Sequence, residues 1–164
     1  MLLLIRLFLL SIGLVIFTTS QATEVYSLIY VYDGDTVKLQ TLQGIAKGET
    51  FKLRLTDIDA PELDQAYGMQ SRQALMQLCQ GDSILVTATL VGRDQYQRTL
   101  GRLQCNHIDV SLYLVERGLA WHSAKFSHNM QLSRAARQAK SLKISLWADD
   151  QPIPPWVWRH RHAQ

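Results

Sequence analysis

The chain has 164 residues, 47% of them hydrophobic and 19% charged, and a formal net charge of +3 at pH 7. A chain of this length buries about two thirds of the surface its unfolded form exposes, so it can fold as one domain without a metal or disulfide to hold it. The mild charge permits a polyanionic partner without demanding one; no internal repeat or low-complexity linker is present, and no His-x-x-x-His or Cys-x-x-Cys spacing supports zinc.

Residues 1–22 carry one positive charge at Arg6, an almost wholly apolar run from Leu7 to Phe17, and small residues at Ser20 and Ala22. This pattern predicts a secretory signal peptide cut after Ala22. The alternative is an uncleaved anchor, disfavoured because the apolar core falls short of the ~20 residues a membrane span needs. The mature chain that follows is read as one domain over residues 23–158, with a basic tail over 159–164.

Glu24 to Tyr32 is rich in Val, Ile, Leu and Tyr and reads as a strand. Asp33-Gly34-Asp35 interrupts it, and Thr36 to Gln40 resumes strict alternation. Gly44 to Gly48 supplies a turn into the next strand, where Phe51, Leu53 and Leu55 alternate with Lys52, Arg54 and Thr56, so that Arg54 lies on the face opposite the apolar set. That strand runs into Asp57-Ile58-Asp59-Ala60-Pro61-Glu62, where the proline turns the chain. A dense group of opposite charges on a strand end and its turn is held firmly enough to carry chemistry; the bland alternative is a polar connection with Asp59 or Glu62 capping the next helix.

A helix is expected from about Met69 to Cys79, stopped near Gly81. Ser83 to Val91 and Thr99 to Cys105 read as strands joined by Asp94 to Arg98. Further helices are expected from about Val110 to Arg117, ending at Gly118, and from about Asn129 to Lys143, where Leu132, Ala135, Ala136, Ala139 and Leu142 form one stripe. Five short strands and two or three helices, without regular βαβ alternation, predict an α+β fold built on a small barrel.

Three segments taken together, Asp33-Gly34-Asp35-Thr36-Val37, Arg54 with Asp59-Ala60-Pro61-Glu62, and Asp94 to Arg98, resemble in order and spacing the staphylococcal nuclease family. The resemblance runs from about Tyr26 to Trp158. It implies a five-stranded barrel of the oligonucleotide-binding type with three packed helices, and calcium-dependent cleavage of DNA and RNA that leaves 3′-phosphate ends. By resemblance, Asp35, Asp59 and the carbonyl of Ala60 match the calcium ligands, Arg54 and Arg98 the catalytic arginines, Glu62 the catalytic glutamate and Tyr96 a nucleotide contact. The family's glycine before the second arginine is Gln97 here, and tyrosines found in the staphylococcal enzyme are missing near Ala124 and Phe126.

The chemistry asks for the same residue types. Attack of water on a phosphodiester requires its negative charge to be neutralised, which suits a hard cation on carboxylate and carbonyl oxygens and guanidinium groups that present paired N–H donors. Arg102, further along the strand than Arg98, is expected to be a surface or barrel-supporting arginine. Two cysteines in an exported chain are expected to pair, Cys79 with Cys105, the alternative being two buried free thiols. The expected protein is thus an exported, monomeric, calcium-dependent endonuclease acting on DNA and RNA, preferably single-stranded, without a stable protein partner. A binding module on the same barrel is the rival, and it should have lost one of the acidic or arginine positions. A calcium-stabilised domain without substrate would leave Arg54 and Arg98 unexplained.

Overall fold

Strict alternation produces a sheet with one buried face, and a short sheet so patterned closes on itself to bury that face. In the computed structural model, which describes residues 24–162, β1 (Glu24–Val31), β2 (Thr36–Thr41) and β3 (Thr50–Leu55) form an antiparallel meander. β4 (Ile58–Asp59) and α1 (Gly68–Cys79) intervene before β5 (Val86–Arg93) and β6 (Thr99–Cys105). β5 pairs with β1, β6 with β5, and a parallel pairing of β6 with β3 closes a five-stranded barrel. The expected leader, and the anchor alternative with it, lie outside the described residues.

Val31, Val37, Leu39, Leu53, Leu55, Val86, Ala88 and Leu103 are buried in the core. Alternation therefore leaves Lys38, Lys52 and Arg54 on the outer face. β7 (Ile108–Asp109) leads into α2 (Val110–Glu116), whose start is capped by the Asp109 carboxylate accepting from the Leu112 N–H at 2.9 Å. β8 (Trp121–His122) precedes α3 (Met130–Ser141), capped in the same way by Asn129. Cys79 at the end of α1 and Cys105 at the end of β6 are bonded through their sulfurs, with Cα atoms 5.2 Å apart.

The structure adds a fourth helix to the three expected. After a short 3-10 turn at Ser145–Ala148, α4 (Pro155–His162) starts on a proline, which is well suited to a first helical position. It runs without a break through the boundary expected between Trp158 and Arg159, so described residues 159–162 are helical. α4 packs onto the body through buried Pro155 and through Trp156, whose ring meets that of Trp121 edge-on at 5.4 Å.

Candidate active site

The Asp33-Gly34-Asp35 loop turns tightly against α1. A Cβ on Gly34 would overlap the Ser71 hydroxyl and lie 2.7 Å from the Ala60 side chain, so only glycine lets this loop approach the segment that carries Asp59. Gly68 has the same function at the start of α1, where a Cβ would overlap the carbonyl oxygen of Glu62. The turn's own hydrogen bonds complete the loop: the Asp35 N–H donates to Asp33 Oδ1 at 2.9 Å, and burial pushes the Asp33 carboxyl above its ordinary pKa against the pull of Arg54.

Asp35 and Asp59 are almost fully buried, at 1% and 7% exposure. Such carboxylates persist only with partners. The Arg54 guanidinium lies between them, pairing through Nη1 with Asp35 Oδ1 and through Nη2 with Asp59 Oδ1 at 2.7 Å. The Ala60 N–H donates to Asp35 Oδ2 at 2.6 Å. Register explains the convergence: Thr36 pairs with Arg54 across β2 and β3, and Asp59 with Trp121 across β4 and β8.

A residue that sequence reasoning left in the tail completes the cluster. Arg159 of α4 donates to Asp59 from both Nη atoms, Nη2 to Oδ2 at 2.8 Å and Nη1 to Oδ1 at 3.1 Å, and from Nη1 to Glu62 Oε1 at 2.8 Å. These carboxylates raise its pKa above that of a free guanidinium, so it stays charged at every relevant pH. One signal pointed to it: a helix beginning at Pro155 puts Trp156 and Arg159 three residues apart on one face, so a docked tryptophan brings the arginine to the body with it.

Arg98 and Tyr96 are not brought into this cluster. Arg98 donates through Nε to Asp94 Oδ2 at 2.6 Å, while Asp94 Oδ1 accepts from the backbone N–H groups of Tyr96 and Arg98 at 2.9 Å each. Tyr96 is 71% exposed, and the Arg98 guanidinium lies 5.6 Å from its ring centre. Gln97 has φ +62°, the left-handed conformation that favours glycine. Arg102 supports the barrel instead, donating through Nε to the buried Asp57 carboxylate at 2.7 Å.

The donor set suits an oxygen-liking cation. No group of three or more His, Cys, Asp or Glu side chains among the described residues is arranged to hold a metal, so any ion here depends on two carboxylates, backbone oxygen and water. Asp35 Oδ2 and Asp59 Oδ2 each accept one hydrogen bond, leaving each a lone pair. Among the five side chains Asp35, Asp59, Glu62, Arg54 and Arg159, three carboxylates oppose two guanidiniums. A divalent cation would turn that net negative charge positive, which a phosphodiester monoanion would then balance.

Residues 52–149 match the family of staphylococcal nuclease homologues. The chain belongs to the staphylococcal nuclease family. It is 34% identical over 161 residues to a Haemophilus influenzae protein named as an uncharacterized endonuclease, covering 95% of this chain and 86% of that one. It is likewise 34% identical over 135 residues to an uncharacterized endonuclease of Escherichia coli O157:H7, covering 82% of this chain and 84% of the relative. With the Arabidopsis thaliana staphylococcal-like nuclease CAN1 it shares 30% identity over 123 residues, 75% of this chain but 37% of the plant protein. The protein is a nuclease, a hydrolase of phosphodiester bonds in nucleic acid. The barrel and its packed helices are the family's oligonucleotide-binding-type α+β fold.

Proposed function

We propose that this nuclease is exported, acts as a monomer, and uses calcium to hydrolyse DNA and RNA endonucleolytically, preferring single strands and leaving 3′-phosphate ends. The observation that carries the reading is the clamp of Asp35 and Asp59 on one guanidinium, with the Ala60 backbone between them and Glu62 alongside. Asp35, Asp59 and the Ala60 carbonyl would hold the ion, which would supply positive charge to balance that of the phosphate.

Arg54 gives one hydrogen of each Nη to a carboxylate, which fixes its plane and leaves N–H groups for phosphate oxygens. Glu62, with 34% of its side chain exposed, orients the attacking water and accepts its proton. The water oxygen bonds to phosphorus, the bond from phosphorus to the 5′-oxygen breaks, and that oxygen takes a proton from solvent. Arg98 contributes by exchanging Asp94 for substrate phosphate, with Tyr96 beside it against a base.

The outer face of the sheet supports a single-stranded substrate. Tyr30, Lys38 and Lys52 lie in one row across β1, β2 and β3, next to the Thr36–Arg54 pair. Tyr30 is 47% exposed, and the Lys52 ammonium sits 4.4 Å from the centre of the Tyr32 ring. Unpaired bases stack on such aromatics while ammonium groups follow the phosphates.

Nicking of heat-denatured DNA should occur with calcium, stop with chelator, and be poorly restored by magnesium, which yields its waters reluctantly. Equal rates with magnesium alone would overturn the calcium assignment. Fractionation of expressing cells and size-exclusion chromatography test export and the monomer.

A further inference from the structure

Arg159 uses only part of its guanidinium on the protein. Of the five N–H groups of an arginine, both hydrogens of Nη1 and one of Nη2 are engaged, by Asp59 and Glu62. The Nε–H and the second hydrogen of Nη2 make no hydrogen bond among the described residues. In a planar guanidinium these two lie on one edge, on the side away from Glu62, spaced to meet two oxygens of a single phosphate. The side chain is 44% exposed, so that edge can be reached.

The helix that carries Arg159 is fastened to both segments that carry the acids. Gln65 donates through Nε2 to the Ile153 carbonyl at 2.6 Å, and Trp158 donates through Nε1 to Asp64 Oδ1 at 3.3 Å, both in the loop that follows Glu62. Trp156 rests on Trp121, the strand partner of Asp59. The arginine is therefore held relative to Asp59 and Glu62 from two directions. Arg98, in contrast, is paired away from them with Asp94.

We propose that Arg159 is a phosphate-binding residue of the active site: its Nη edge fixes Asp59 and Glu62 relative to one another, and its Nε edge takes a phosphate of the bound strand. The proposal rests on the nuclease reading of the site, and its test is chosen to fail separately from that reading. Binding of a short fluorescein-labelled oligothymidylate is measured in chelator over a range of salt, where no cleavage is needed. Each phosphate contact to a single strand contributes about 0.7 to the slope of log K against log salt.

Arg159→Met should reduce that slope by about 0.7 and lower kcat/KM in saturating calcium by about 10²- to 10³-fold. Arg159→Lys, which keeps the charge but not the paired donors, should retain the slope and still lose most of kcat. Circular dichroism establishes that each variant is folded, and the lysine variant decides if the methionine variant is not. Full activity in Arg159→Lys would overturn the proposal. So would a methionine variant that keeps the wild-type salt slope, or one that cuts faster at low calcium, as it would if Arg159 only competed with the ion for Asp59. A wild-type protein that binds with the expected slope but does not cut in calcium would refute the nuclease reading and leave the phosphate contact standing.

Discussion

The acid cluster and the Asp94–Arg98 turn carry the same kinds of residue and are built by opposite means. Asp35, Arg54 and Asp59 are inside or nearly so, and partners such as Ala60 and Asp35 are 25 residues apart in the chain. In the turn, every hydrogen bond of Asp94 goes to a residue no more than four positions away, and Arg98 and Tyr96 stand open to solvent, at 49% and 71% exposure. Barrel register holds the first group, whereas a single carboxylate organises the second. Charge alone thus does not mark where an arginine will act: a strand-anchored arginine is fixed in position before substrate arrives, while one on a hairpin tip must exchange its partner to contribute.

The most damaging way to break this comparison is at its buried end. Asp35→Ala leaves Arg54 Nη1 and the buried Ala60 N–H without a partner, so we expect a loss of roughly 3 kcal/mol by urea denaturation. Hydrolysis of single-stranded DNA should fall by about 10²-fold or more. At the exposed end, Arg98→Lys should lose most of kcat while calcium binding measured by calorimetry is unchanged, because lysine keeps the charge and not the fork. Arg102→Lys should cost much less, since Arg102 is engaged with Asp57; the reverse ranking would move the second catalytic arginine along β6.

A smaller effect sharpens the comparison through pH. Burial pushes the Asp57 carboxyl up, but the hydrogen bond and charge of Arg102 pull the other way, and the group is held below the ordinary carboxylate range. A folded pKa below the unfolded one gives stability that is present above the unfolded value of ~3.9 and lost as pH falls through the folded value. Wild type should therefore lose stability on acidification below pH 4 that Asp57→Asn does not lose, as read from melting curves at matched pH. The smallest effect is expected at the turn itself. Gln97→Gly relieves a left-handed residue but frees the unfolded chain, so stability should change by less than about 1 kcal/mol, in the stabilising direction. A loss above 1 kcal/mol in denaturant titration would show that the Gln97 side chain holds the turn.

Much of the site could be read from the chain because its parts are coded locally. Val37 and Leu39, and Leu53 and Leu55, alternate with the polar residues, so the outward direction of Lys38, Lys52 and Arg54 follows from period two before any partner is known. The helical stripes place α2 near Val110 and α3 near Asn129, and Asp33-Gly34-Asp35 reads as a break between two strands. The turn at Gln97 shows the limit of such coding: the motif locates Arg98, but the pairing of its side chain with Asp94 depends on a left-handed backbone that the residue type disfavours.

By itself the sequence determined the barrel pattern, the acid and arginine positions just before β2, on β3 and in the segment after it, and so the nuclease family, because side-chain period and turn chemistry act between near neighbours. Only the tertiary structure decided that the parallel pairing of β3 with β6 closes the barrel, and that Arg159 reaches Asp59 from 100 residues along the chain. Pro155 starts α4, but where the helix lies depends on Trp156 finding Trp121 and Trp158 finding Asp64. Those contacts depend on the shape of a surface that exists only once the barrel and helices have packed, and no local pattern encodes it.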